Sequence, residues 1–311
     1  MTNLATLTMN PTVDVSFEVD RMVPTHKNRG RDERHDPGGG GIDVARVLAR
    51  LGGNARCFYL AGGAAGAALD VLMDRHGLVR CRIDIDGETR VAMAVLDRET
   101  GLQYRLVADG PEIGPDKGEQ CLKQLEAADF DYLVVSGTLP RGLPDDFYAR
   151  VAAMVAKRGK RMVLDSSGRG LAHGLAGGNI FLAKPSLEEL RALCGRRLEH
   201  DEEIAEAGRE IVRQGLCENL AVTLGSDGAL LINAQGTLRL PAVPVESVSA
   251  VGSGDSFVAA MIFGLAAGRT MEDAFRFGLA GGAAAVMTPG TDLALADDIY
   301  RLYAAAQRLV R

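Results

Sequence analysis

Residues 249–256 read Ser-Ala-Val-Gly-Ser-Gly-Asp-Ser, and a run of small and apolar residues follows from Phe257 to Ile262. Gly252 and Gly254 permit a turn that residues with side chains resist, and they open the backbone to a ligand. The run after them has helical character, so the first amides of that helix point outward without partners. Unpaired amides at the positive end of a helix dipole suit a phosphate or a developing anion. Asp255 falls at or beside the start of this helix. Two roles suit it: a cap that accepts from helix amides, or a general base beside an anion site. The stretch alone does not choose between them.

A second glycine run, Gly38 to Gly41, opens a helical segment from Ile42 to Leu51 that stops at Gly52-Gly53. Polar turns recur between these two stretches. Asn10 and Asp14 follow the first apolar strand. Ser136-Gly137-Thr138 follows the strand 131–136, Asp165-Ser166-Ser167-Gly168 the strand 161–165, and Lys184-Pro185-Ser186 the strand 179–182. Thr223-Leu224-Gly225-Ser226-Asp227-Gly228 follows the strand 219–224. Any one of these is ordinary turn chemistry. In a sheet whose ligands bind outside the carboxyl ends of its strands, the whole row lies on one edge.

The elements that position them follow from periodicity. Further strands are expected at 4–9, 13–19, 55–60, 81–86, 90–97 and 102–107, with a hairpin over 228–232 and 237–240. Helices are expected at 67–76, 115–127, 144–158, 168–174, 186–194, 201–214, 271–287 and 295–309. Residues 20–37 read as a loop or a polar two-sided strand, and 62–66 as a Gly-rich turn. Strands alternating with helices predict an α/β fold with a mostly parallel sheet covered on both faces. Residues 1–311 form one domain on this reading. Two excursions, about 12–36 and 87–108, look like antiparallel strands outside the main sheet, a small lid. Val13, Val15, Phe17, Val91, Met93 and Val95 would give that lid an apolar face to bury.

Composition narrows the function. The 311 residues are 47% hydrophobic and 24% charged with a net charge of −6, which excludes a basic nucleic-acid or membrane surface. Five cysteines without a CxxC pair suggest neither a zinc site nor a disulfide framework, and reduced thiols in a cytoplasmic protein are expected. No signal peptide and no membrane span is expected.

The two glycine stretches, Gly38-Gly39-Gly40-Gly41-Ile42-Asp43-Val44-Ala45 and Ala250-Val251-Gly252-Ser253-Gly254-Asp255-Ser256, about 210 residues apart, resemble the signatures of the ribokinase-like (PfkB) family of sugar kinases. Thr8 to Asp14, Asp165-Ser166-Ser167-Gly168 and Leu224-Gly225-x-x-Gly228-Ala229 extend the likeness to its members that act on fructose 6-phosphate. The resemblance implies a three-layer sandwich with a β lid, and phosphoryl transfer from ATP to a sugar phosphate. Asp255 would be the base, with Gly252, Ser253 and Gly254 as the anion hole. Asp14, Gly39, Gly40, Asp43 and Thr138 would bind the sugar, with Lys27 and Arg90 on its phosphate. Thr223, Gly225 and Gly228 would line the nucleotide site. Lys184 would reach the nucleotide phosphates, and Glu189 would place Mg²⁺ through water. Ser249, Val251, Ala285, Thr288 and Gly290 would map near a site for K⁺. Pairing of lids would make a homodimer.

The chain departs from the family at three places. Asp43 stands where relatives carry Asn, and an ionised carboxylate only accepts hydrogen bonds where an amide also donates. Ser186 replaces the Asn of an Asn-x-x-Glu motif, which predicts weaker Mg²⁺ binding, and Ser249-Ala250 replaces Asp-Thr. Alternatives stay open at this stage: a kinase of fructose 1-phosphate or tagatose 6-phosphate, or a sensor that binds sugar phosphate without turnover. A dinucleotide oxidoreductase is another, since Ala61-x-Gly63-x-x-Gly66 is a degenerate fingerprint with Asp84 and Asp86 downstream.

Overall fold

The computed structural model describes residues 2–309. Its centre is a nine-stranded sheet. In chain order its strands are β1 (Leu4–Thr8), β4 (Ala55–Ala61), β5 (Val79–Asp84), β8 (Tyr132–Ser136), β9 (Arg161–Asp165), β10 (Ile180–Ala183), β11 (Cys217–Thr223), β12 (Ala229–Asn233) and β13 (Gly236–Leu240). Across the sheet they run β13-β12-β11-β10-β9-β8-β1-β4-β5. All neighbours are parallel except the terminal hairpin β11-β12-β13. Strand β1 has β4 on one side and β8 on the other, so the winding direction reverses there. That reversal opens a crevice at the carboxyl ends of β1 and β8.

Helices cover both faces, as strands with no polar alternation require. Leu133 and Val135 of β8 face one core and Val134 the other. The core that holds Val134 packs α1 (Gly40–Arg50), α2 (Gly63–Arg75), α8 (Ser253–Ala266), α9 (Met271–Val286) and α10 (Ala296–Leu309) on the sheet. The other packs α3 (Pro115–Ala127), α4 (Phe147–Lys157), α5 (Gly168–Ala176), α6 (Leu187–Cys194) and α7 (Asp201–Arg213).

The lid is a separate four-stranded sheet, ordered β3 (Arg31–Gly38), β2 (Thr12–Val19), β6 (Arg90–Asp97), β7 (Gln103–Val107). The charged segment 20–37 therefore resolves into the loop 20–30 and a polar strand. The lid is not wholly antiparallel as expected. Two antiparallel hairpins join through a parallel β2–β6 pair, because the chain travels through β4, α2 and β5 between them. The register sets Val13 beside Val91 and Val15 beside Met93 on one face, where Val13 and Val15 pack on the core and Val91 and Met93 extend the face outward, while Asp14 and Ala92 take the other face. On the first face Val91, Met93, Tyr104 and Leu106 stay exposed, Leu106 at 59%.

Helix α2 starts at Gly63 rather than near residue 67. The loop after β5 caps it from outside: the Ala65 amide donates to Glu88 Oε1 at 2.6 Å and the Gly62 amide to Thr89 Oγ1 at 3.0 Å. A Cβ on Gly63 would overlap the Glu88 carboxylate. The amides that a dinucleotide pyrophosphate would need are thus taken by a carboxylate of the chain itself, which removes the oxidoreductase reading.

Candidate active site

The two glycine stretches meet across Asp255. Helix α8 has Gly252 as its N-cap, in the left-handed region at φ 71°, where a Cβ would collide with Leu293. Asp255 is then in the first turn and does not cap the helix. Its Oδ1 instead accepts from Ser136 Oγ, at the end of β8, at 3.3 Å. Helix α1 starts at the same place, with Gly39 as its N-cap at φ 106°. A Cβ on Gly40 would overlap Ser136 Oγ and lie 3.0 Å from Asp255 Oδ1, so only Gly lets α1 approach Asp255.

Neighbouring strand ends supply the rest. Ser136 is in register with Asp165, the last residue of β9. Lys184 follows β10, is 5% exposed, and pairs with Asp165 at 3.0 Å. A Cβ on Gly254 would sit 3.3 Å from Lys184 Nζ, so the ammonium lies under the first turn of α8. Burial pushes the pKa of Asp255 well above the carboxylate range, helped by the charges of Asp43 and Asp165 and opposed by Lys184 and Ser136. Burial likewise raises Asp165 against the pull of Lys184. Burial disfavours the Lys184 ammonium, but Asp165, Glu189 and Asp255 outweigh it and hold its pKa above the lysine value.

On the lid side, Asp14 of β2 lies against Gly38, and burial raises its pKa to about 6 against Arg105 and Arg46. Arg90 donates through Nη1 to Ala108 O at 3.0 Å and through Nη2 to Asn10 O at 2.8 Å, bracing the lid on the end of β1. Thr138 Oγ1 accepts from Asn10 Nδ2 at 3.1 Å. Asp43 is buried with Arg46, whose Nη1 lies 3.1 Å from Asp43 Oδ1 while Nη2 donates to Asp36 Oδ1 at 2.8 Å. Lys27 sits in the exposed loop 20–30, and the structure does not bring it into hydrogen-bond or ion-pair contact with these residues.

On the other side of Gly254 lies a cavity of about 520 Å³. Thr223, Gly225 and Gly228 form one wall, Ser253 and Gly254 another, and Val243, Leu279 and Val286 give it an apolar floor. It fits a nucleotide whose base is apolar-faced and whose phosphates reach the amides of α8.

Glu189 is in the first turn of α6, and Ser186 is the N-cap. The Ser186 amide donates to Glu189 Oε2 at 2.7 Å, and the Glu189 amide to Ser186 Oγ at 3.3 Å. Ser186 therefore has a structural use, in a capping box that fixes Glu189. No cluster of three or more metal-ligating side chains occurs among the described residues. Asp165 and Glu189 flanking Lys184 fit Mg²⁺ in its usual manner, held by one or two carboxylates, waters and substrate phosphates. The loops carrying Ser249, Val251, Ala285, Thr288 and Gly290 also converge. Ser249 Oγ lies 3.2 Å from Gly290 O, Thr288 Oγ1 is 2.7 Å from Ala285 O, and the Ser249 amide donates to Val286 O at 3.1 Å. This is an oxygen-only donor set of the kind a hard monovalent cation takes.

The sequence places Ser136 and Asp165 in the row of strand-end turns but gives neither a role, and it does not single out Arg46, Asp36 or Arg105. Arg46 lies three residues after Asp43 on one helix face, a readable pair. Asp36 and Arg105 needed the lid register.

The profile of the pfkB family carbohydrate kinases matches residues 7–298. The ATP-dependent 6-phosphofructokinase isozyme 2 of Mycobacterium tuberculosis is 40% identical over 305 residues, covering 97% of this chain and 89% of that protein. The Escherichia coli protein of the same name is 37% identical over 309 residues, covering 99% and 100%. Crystal structures of Escherichia coli phosphofructokinase-2 superpose over 99% of this chain and 100% of theirs. The complex with potassium gives a TM-score of 0.95 and that with fructose 6-phosphate 0.93, both at 36% identity. A further structure of that protein, described as a tetrameric inhibited form, gives 0.92 at 35% identity with the same coverage.

Proposed function

The chain belongs to the pfkB family of carbohydrate kinases, and from that premise we propose that it transfers the γ-phosphoryl group of ATP to fructose 6-phosphate, giving fructose 1,6-bisphosphate. The observation that carries this is the position of Asp255. A carboxylate with a raised pKa lies between a nucleotide-sized cavity and a lid carrying Arg90 and Arg105, beneath helix amides that have no partner.

In the reaction Asp255 takes the proton of the acceptor hydroxyl as that oxygen bonds to phosphorus. Ser136 keeps the carboxylate aimed. The amides of Gly252, Ser253 and Gly254 hold the charge that grows on the transferring group, and Lys184 adds a fixed positive charge under the same turn. Mg²⁺, placed from Asp165 and Glu189, would neutralise nucleotide phosphate charge. K⁺ at the 249–251 and 285–290 loops would stiffen the turn that presents those amides.

The test is ADP release with Mg²⁺-ATP and four acceptors: fructose 6-phosphate, fructose 1-phosphate, tagatose 6-phosphate and fructose. The highest kcat/KM is expected on fructose 6-phosphate. Turnover on none of them rejects the kinase reading, and a preference for fructose 1-phosphate moves the phosphate site away from Arg90.

Arg90 presents five donors, of which two are engaged with backbone. Losing a charge-assisted bond costs about 1.5–3 kcal/mol. Arg90→Ala is therefore expected to raise KM for fructose 6-phosphate about 10–100-fold and leave KM for ATP unchanged. Equal changes in both would reject a phosphate role for Arg90.

The exposed outer face of the lid is where we place a second copy of the chain. Val91, Met93, Tyr104 and Leu106 form an apolar patch on β6 and β7 that a matching lid would cover. Met93→Asp should convert a dimer to a monomer in sedimentation velocity, and a wild-type monomer at micromolar concentration would overturn the assignment. Five free cysteines and the absence of any membrane-crossing helix among the described residues fit a cytoplasmic enzyme.

A further inference from the structure

Asp43 lies in a crowded set of acids. Asp43 of α1 feels Asp14 of β2 and Asp36 of β3, and its own charge acts on Asp255 of α8. The cations are fewer and are mostly spent elsewhere. Arg90 of β6 and Arg105 of β7 act on Asp14. His76, after α2, stands 3.6 Å from Asp36. Among the described residues only Arg46 forms an ion pair with Asp43, and Arg46 is shared. Its contact with Asp36 is the shorter, 2.8 Å against 3.1 Å. Asp36 also accepts from Thr291 Oγ1 at 2.9 Å, so it is well satisfied as an anion and its pKa is lowered despite burial. One guanidinium faces a buried carboxylate, Asp43, and a partly buried one, Asp36, and the better-supported Asp36 holds its charge.

We propose that Asp43 keeps its proton in the working enzyme and donates a hydrogen bond to a hydroxyl of the sugar phosphate, a neutral group where a carboxylate would repel an anionic substrate. This deepens the kinase reading above and rests on it for the identity of the ligand. A protonated carboxyl both donates and accepts, as an amide does, so the acid can fill a position that relatives give to Asn. Burial pushes the Asp43 pKa up to about 7, in keeping with this assignment. The Asp36–Arg46 pair is the positioning element that leaves Asp43 under-compensated.

The sign follows. Below its raised pKa Asp43 is neutral and sugar phosphate binds well; as pH rises through that value the carboxylate forms and binding weakens. ATP, in its own cavity, is unaffected. The experiment is calorimetric titration of fructose 6-phosphate between about pH 7 and pH 9, where the ligand's phosphate is already dianionic. In the wild type Kd should rise by up to about tenfold per pH unit, and at the alkaline end binding should take up ~1 proton more than in Asp43→Asn. Asp43→Asn should hold the tight Kd across the range. Asp36→Asn releases Arg46 to Asp43, ionises it, and should weaken binding at neutral pH.

A flat wild-type Kd, equal proton uptake in wild type and Asp43→Asn, or an unchanged Kd in Asp36→Asn would each overturn the proposal. Should Asp43→Asn fail to fold, the Asp36→Asn result decides alone. Binding without turnover would count against the kinase reading and leave Asp43 assigned; no binding at any pH would reject both.

Discussion

Asp255→Asn is expected to lower kcat by about 10²–10⁴-fold, the usual contribution of a general base. The amide has the same shape and keeps the contact with Ser136, but it cannot accept a proton. The nucleotide cavity is lined by Thr223, Gly225, Gly228, Ser253 and Gly254 and not by Asp255, so ATP affinity should hold within a factor of about two. Thermal stability should hold or rise, because the change removes a carboxyl that the charges of both Asp43 and Asp165 oppose. Steady-state kinetics and a nucleotide titration on the same protein check both halves. Wild-type turnover in the variant would remove Asp255 as the base. The wild-type pH profile gives an independent reading. A base whose pKa is raised works only above that value, so kcat should fall on the acid side at a higher pH than an ordinary carboxylate would give.

The second large effect is expected at Lys184. Its ammonium is the fixed positive charge among Asp165, Glu189 and Asp255, and it is 5% exposed. Lys184→Met leaves buried carboxylates without their counter-charge. Breaking a buried pair from one side typically costs about 3–5 kcal/mol. For a chain of this size that corresponds to a fall in Tm of about 5–8 °C. Catalysis should fail as well, since Asp255 loses the charge that restrains its pKa and the anion site loses its cation. The two losses can be separated. Lys184→Met combined with Asp165→Asn removes both members of the pair, so stability should largely return while kcat stays low. A thermal melt of the single variant that matches wild type would show that Lys184 contributes nothing to holding the site together. Recovery of kcat together with stability in the double variant would show that its role is structural only.

These two residues show how far local chemistry could be read. Asp255 stood out because Gly-x-Gly-Asp before a helix is a recognisable anion-site pattern. That it does not cap the helix depended on where α8 begins, and its contact with Ser136, 119 residues away, on the end of β8 meeting the first turn of α8. Lys184 stood out as the one basic residue in a row of strand-end turns. Its partner Asp165 sat in the next turn back, but only parallel pairing of β9 with β10 puts the two side by side. Ser186, whose place in the Asn-x-x-Glu motif predicts weaker Mg²⁺ binding, is in three dimensions the cap that fixes Glu189.

The sequence by itself determined the fold class, the two glycine stretches and the row of strand ends, because these depend on short-range properties. Apolar runs specify buried strands, glycine permits left-handed turns, and a helix start leaves amides unpaired whatever surrounds it. Only the tertiary structure decided which charges meet. Asp36 reaches Thr291 across 255 residues, and through Arg46 that contact bears on Asp43. Burial and neighbouring charge, which set whether a carboxyl is a base, an ion-pair partner or a proton donor, belong to the packed chain and have no counterpart in any short segment of it.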